Sequence, residues 1–204
     1  ATAQCGPLVA DLRTHASTPT ALELATPPAT MLIRFESVET VAVEQAEQAA
    51  TLARGHGGTV VVLAGEDETV AWREHDARVF DRGGTIVKLV VVPSKVSSTL
   101  AWLDDAAKRR QLDYVATGRA GLGVLYLGLN GSVSEQASLV TTLRERLPVG
   151  RGSAVISRAD PKLKALVDVW GADRVGVRLS PNGETQGCDD SDPAATFGAA
   201  ARVI

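Results

Sequence analysis

Aromatic residues are scarce in this chain: three Trp, two Tyr and three Phe, 4% of 204 residues. An RNA-binding sheet needs an aromatic-rich recognition strand, and so few rings do not supply one. Cysteine is scarcer still. Cys5 and Cys188 stand near opposite ends in unrelated contexts, which excludes a disulfide framework and a metal-ligand spacing. That usage fits a reducing, cytoplasmic compartment. An excess of either charge is also lacking, with 21 basic and 24 acidic residues and a net charge of −3. No electrostatic pull toward nucleic acid or anionic membranes is expected. Long apolar runs are missing as well: residues 59–64 are among the longest and are only strand-sized, so no membrane span and no signal peptide are expected. What is present, 45% hydrophobic and 22% charged residues, is the composition of a globular domain with a core.

Residues 1–30 carry Pro7, Pro19, Pro27 and Pro28 among Ala, Thr and Ser, and read as an entry segment with one short helix, outside the core. From Met31 the texture changes. Residues 31–36 alternate as a strand, and a helix follows with Val38, Ala42, Ala46, Ala49 and Ala53 on one stripe, stopped by Gly55-His-Gly-Gly58. Residues 59–64 read as a buried, valine-rich strand and residues 66–80 as an irregular helix. A strand over 85–92 ends at Pro93, where Ser94 is placed to cap a helix with the stripe Val96, Leu100, Leu103 and Ala107. Residues 114–118 and 123–129 form a hairpin candidate. Ser132-x-x-Glu135 has the form of a capping box opening a helix through Val140, Leu143 and Leu147. A strand over 153–157 follows, and Asp160-Pro161 opens a last helix with the stripe Leu163, Leu166, Val167 and Trp170.

From residue 85 onward this is the split βαβ order of ferredoxin-like folds. The expected class is therefore α+β, a mainly antiparallel sheet with helices on one face, to which the first group of elements adds two strands. The expected organisation is an entry segment over 1–30, a domain over 31–171 and an irregular tail over 172–204.

Chemistry is sparse in the residue pattern. His15, His56 and His75 are scattered and read as loop or surface residues. Asp189, Asp190 and Asp192 lack the glycine and terminal glutamate of a calcium loop, so no metal site is expected. Gly118-x-x-Gly121-x-Gly123 leads into another strand and not into a helix, so it does not read as a dinucleotide cradle. Strand alternation is more informative. Leu125, Leu127 and Leu129 share the face that should meet the helices, and Val124, Tyr126 and Gly128 share the other. The polar strand positions are Arg34, Lys88, Thr117, Arg119 and Arg158. Converging, they would form a cationic surface for a partner or an anionic ligand; the alternative is a solvated sheet face balanced by Glu36 and the tail aspartates.

Four segments in order, Trp72-Arg-Glu-His75, Lys88-Leu-Val-Val-Val-Pro-Ser94, Ala120-Gly-Leu-Gly-Val-Leu-Tyr126 and Val167-Asp-Val-Trp-Gly171, resemble the C-terminal cap domain of FAD-linked oxidases of the vanillyl-alcohol-oxidase type. The similarity is nearest to the E-subunit type of glycolate oxidase and covers residues 18–171. It implies a cap on the substrate side of a flavin, acting on a small 2-hydroxy acid and inactive without an FAD-binding domain. FAD is then expected in the intact protein and not on this chain alone. The implied partners are that FAD-binding domain, in the same gene or on a partner subunit, and D- and F-type glycolate oxidase subunits. Catalytic relatives carry His-x-Gly-Asp-Gly-Asn-x-His at the hairpin, where this chain has Arg119-Ala-Gly-Leu-Gly-Val-Leu-Tyr126. Arg119 and Tyr126 replace the two histidines, which disfavours metal binding and acid–base chemistry. The closing Asn-Pro-Gly-Arg segment of the family is not matched after Asp192-Pro193. No catalytic residue is expected; Arg34, Lys88, Arg119, Tyr126 and Arg158 are the ligand- or flavin-facing candidates. The alternative function is a stand-alone ferredoxin-like module that binds a small effector or mediates subunit assembly.

Overall fold

The computed structural model describes residues 2–14, 19–148 and 150–171. Its elements in chain order are α1 (Thr2–Thr14), β1 (Ala21–Thr26), β2 (Thr30–Arg34), α2 (Glu39–Gly55), α3 (Gly65–Phe80), β3 (Thr85–Val90), α4 (Val96–Arg109), β4 (Asp113–Arg119), β5 (Val124–Asn130), α5 (Val133–Arg146), β6 (Ser153–Arg158) and α6 (Pro161–Leu166). The six strands form one sheet in the order β2-β1-β4-β5-β3-β6, and every neighbouring pair is antiparallel. The class is α+β. Its β4-β5-β3-β6 portion has the strand order that the split βαβ pattern predicts.

The sheet's first face carries the main core. Leu125, Leu127 and Leu129 are buried there with Val87 and Leu89 of β3, under Leu100 and Leu103 of α4, Leu139, Val140 and Leu143 of α5, and Leu163 of α6. A smaller cluster joins Leu8 and Leu12 of α1 and Ala49 of α2 to Leu22 and Ile33 on the same face. Side chains two apart along a strand share a face, and this alternation supplies the apolar layer directly.

Four expectations differ from what is found. Residues 1–30 are not merely an entry segment: β1 is an interior strand between β2 and β4, and Leu12 and Leu24 are buried. The prolines Pro27 and Pro28 sit in the β1–β2 turn, where they interrupt no ladder. Residues 59–64 are not a buried strand; they are largely exposed, with Val61 at 74% and Val62 at 56%, and belong to no sheet. Helices do not keep to one face, because α3 crosses the second face, where its Val79 packs with Ile86 and Val115. The last helix stops at Leu166. Val167 is extended (φ −138°, ψ 132°) and Val169 accepts a hydrogen bond from Ile156 of β6 at 3.0 Å, so the chain leaves the helical phase and Trp170 is 70% exposed.

Local caps differ too. Pro93–Lys95 forms a 3₁₀ turn and α4 begins at Val96, so Ser94 caps nothing. Ser132 holds the N-cap position of α5, but its hydroxyl meets that of Ser134 at 2.8 Å, and Gln136, not Glu135, reaches back to the Gly131 carbonyl at 2.8 Å. Asp160 does cap α6, accepting from the Lys162 amide at 2.8 Å. The expected tail over 172–204, with Cys188 and its aspartates, lies outside the described residues, as does His15.

Candidate functional site

Register places all five sequence-selected residues on the second face. Lys88 is directly opposite Tyr126, Tyr126 is opposite Thr117, and Arg119 is opposite Glu23. Arg34 lies at the end of edge strand β2 and Arg158 at the end of edge strand β6, opposite Ile86. Side chains directly opposite on a sheet stand about 5 Å apart at Cβ, and diagonal ones about 7–8 Å. Tyr126 is therefore directly opposite Lys88 and diagonal to Arg119, which stand two strands apart on either side of it, whereas Arg34 and Arg158 are at opposite ends of the sheet.

Helix α3 decides which of them are available. Arg34 stacks over Trp72 with its guanidinium carbon 4.5 Å from the ring centroid, donates to Glu68 at 2.7 Å and lies 3.7 Å from Glu36. At the other end, Arg158 donates to the Phe80 carbonyl at 3.0 Å and to the Arg82 carbonyl, closing the C-terminal end of α3. These two arginines hold α3 on the sheet, which accounts for them without a ligand.

The remaining three lie at the margin of α3, with Lys88 and Arg119 exposed and Tyr126 half-buried. Lys88 is exposed and, among the described residues, has no ion-pair partner. Tyr126 packs its ring edge-on against Phe80, centroids 5.0 Å apart, which sets its orientation; its hydroxyl has no hydrogen bond among the described residues. Arg119 is exposed and 3.4 Å from Glu23. Half-buried Val90, Val124 and Val155 floor this margin. An ammonium, a guanidinium and a phenol on a partly apolar floor can donate several hydrogen bonds to one carboxylate.

Sequence reasoning missed two residues beside these three. Glu23 of β1 is mostly buried and stands between Arg119 and His75, whose Nε2 is 3.7 Å away. His75 is not a surface residue: it is 8% exposed, edge-on to Trp72 at 6.1 Å. A buried carboxylate requires such partners. The signal for His75 was its place on the Trp72, His75, Val79 stripe of α3, spaced for one helix face. Glu23 gave the alternation of Ala21-Leu-Glu-Leu-Ala-Thr26 before a Pro-Pro turn. His56 pairs with Asp11 at 2.7 Å and ties α2 to α1.

The hairpin glycines do not fit the diphosphate of FAD. Gly118 (φ +149°) lies so close to β5 that a Cβ there would meet the Val124 carbonyl at 2.3 Å, and Gly123 (φ +70°) would meet the Val91 carbonyl at 1.9 Å. These glycines let strands approach, and Gly123 leads into strand β5, not into a helix N-terminus. No protein-family model and no curated protein matches the chain. Among the described residues no helix is long and apolar enough to cross a membrane.

Proposed function

We propose that this chain is the substrate-side cap domain of an FAD-linked oxidoreductase for a small 2-hydroxy acid, of the glycolate-oxidase E-subunit type. FAD and its phosphate cradle would belong to a separate FAD-binding domain, in the same gene or on a partner subunit. Assembly with D- and F-type subunits and a cytoplasmic location go with that reading. The observation that carries it is the cluster of Lys88, Tyr126 and Arg119 at the margin of α3. Two of the three stand at the hairpin positions where catalytic relatives carry histidines.

In this reading Arg119 and Lys88 bind the carboxylate of the 2-hydroxy acid, and the Tyr126 hydroxyl adds a donor. Glu23 positions Arg119 from below. Arg34 and Arg158, both engaged with α3, are left out of the proposed binding set. The test uses the chain reconstituted with its FAD-binding domain. Arg119→Ala, Lys88→Ala and Tyr126→Phe should each weaken 2-hydroxy-acid binding by roughly ten- to a hundredfold, given about 1.5–3 kcal/mol for a hydrogen bond to a charged group. The melting temperature should not change. Native affinity in all three variants would overturn the reading, as would flavin absorbance retained through gel filtration by the chain alone.

A further inference from the structure

The strand order contains a repeat that one half of the molecule completes and the other does not. The second half runs β3–α4–β4–β5–α5–β6, and β3 sits in the sheet between β5 and β6, antiparallel to both. The crossover from β5 through α5 to β6 thus steps over one strand. The first half runs α1–β1–β2–α2 and then residues 59–64. That is the same order without its first strand. Helix α1 corresponds to α4, against which it packs, hairpin β1–β2 to β4–β5, α2 to α5, and residues 59–64 to β6. The corresponding strands β1 and β4 meet antiparallel at the junction, as a local two-fold between the halves requires.

Where the second half has β3, the first half has a cavity of about 800 Å³. Leu32 and Ile33 of β2, Ala46 and Ala50 of α2, and Val61 and Leu63 line it. Edge strand β2 pairs with nothing on this side among the described residues. The valine-rich segment 59–64 has the composition of a strand and pairs with no strand among the described residues. Helix α2 leaves Ala42 and Ala46 half-exposed, whereas Leu139, Val140 and Leu143 of its counterpart α5 are buried against the completed sheet.

We propose that this cavity is a strand-binding groove. An extended segment from the N-terminal side of α1 enters between β2 and residues 59–64, antiparallel to both, and makes segment 59–64 the outermost strand of an eight-stranded sheet. Backbone hydrogen bonds to both neighbours supply the affinity, as in strand addition at other open edges. Two strand spacings, about 9.5 Å, would then separate β2 from segment 59–64. Because β3 reaches α4 through residues 91–95, the inserted strand ends a similar distance before Thr2. A second copy pairing β2 to β2 would leave both valine segments uncovered, so the repeat favours the inserted strand. The inference does not rest on the flavoprotein reading.

A peptide with the sequence of residues 85–92, the internal counterpart of the inserted strand, is titrated into the full chain. A version with proline at alternate positions, which cannot complete a ladder, is the control. Hydrogen exchange is read at residues 30–35 and 59–64. Both segments should slow by at least about tenfold with the peptide and not with the proline version. A fusion carrying residues 84–95 ahead of Ala1 raises the effective concentration of the strand and decides the matter if the peptide arm is silent. Absence of protection in the fusion overturns the proposal. So does protection of both segments without any added strand, whether in a sedimenting dimer, where a second copy fills the groove, or in a monomer, where segment 59–64 pairs with β2 directly.

Discussion

Tyr114 of β4 is buried in the first-face core, and its hydroxyl has no hydrogen-bond partner among the described residues. A buried, unsatisfied hydroxyl costs stability that a phenyl ring of the same shape does not. Tyr114→Phe is therefore expected to hold or raise stability in denaturant melts, by up to about 1 kcal/mol; a clear loss would reveal a partner for the hydroxyl. Leu163 and Trp170 make a second contrast. Leu163 is fully buried, and Leu163→Ala should cost about 2–5 kcal/mol. Trp170 is exposed, and Trp170→Ala should change stability by no more than about 0.5 kcal/mol. Equal losses in the two variants would mean that α6 continues past Leu166.

At the scale of elements, α6 is short and depends on its ends. Asp160 satisfies an orphan amide of its first turn, so Asp160→Ala should cost about 0.5–2 kcal/mol. Beyond the helix, Arg144 of α5 donates to the Ala154 carbonyl at 2.9 Å and to the Asp168 and Val169 carbonyls at 2.6 and 3.0 Å, clamping the segment after α6 beside β6. Arg144→Lys retains the charge but not the three-way fork, and should increase hydrogen exchange over 167–171 while β3 and β5 stay protected. Unchanged exchange there would show that the Ile156–Val169 bond suffices alone. The pairing of β5 with β3 depends on close backbone approach: Gly123→Ala would drive a methyl into the Val91 carbonyl just beyond β3 and force the two strands apart at that end.

For the whole molecule, stability should fall on the alkaline side. Burial, reinforced by the negative charge of Asp104, pushes the Tyr114 phenol well above the ordinary tyrosine value. Below about pH 10 the phenol is protonated in both folded and unfolded chains and its contribution is complete. Above that the unfolded chain releases the proton and the folded one retains it, so stability declines as pH rises through this window. Melts from pH 8 to 11 should show that decline, and Tyr114→Phe should reduce it. An identical alkaline limb in both proteins would assign the decline to other groups.

In the second half of the chain, strand alternation was determined by sequence alone. Leu125, Leu127 and Leu129 had to share a face, with Tyr126 on the other, because a period of two follows from the backbone; that Lys88 and Arg119 join Tyr126 was decided by the register between strands. The second half was legible for that reason, down to its split βαβ order. Three matters were decided only by tertiary structure. Segment 59–64 has strand composition, but a strand exists only where a neighbouring edge accepts its hydrogen bonds. Helix α3 carries an apolar stripe that names no face of the sheet, and its crossing to the second face engaged Arg34 and Arg158 while leaving Lys88 exposed. Glu23 and His75 came together from strands and helices far apart in sequence, a proximity that no local pattern encodes.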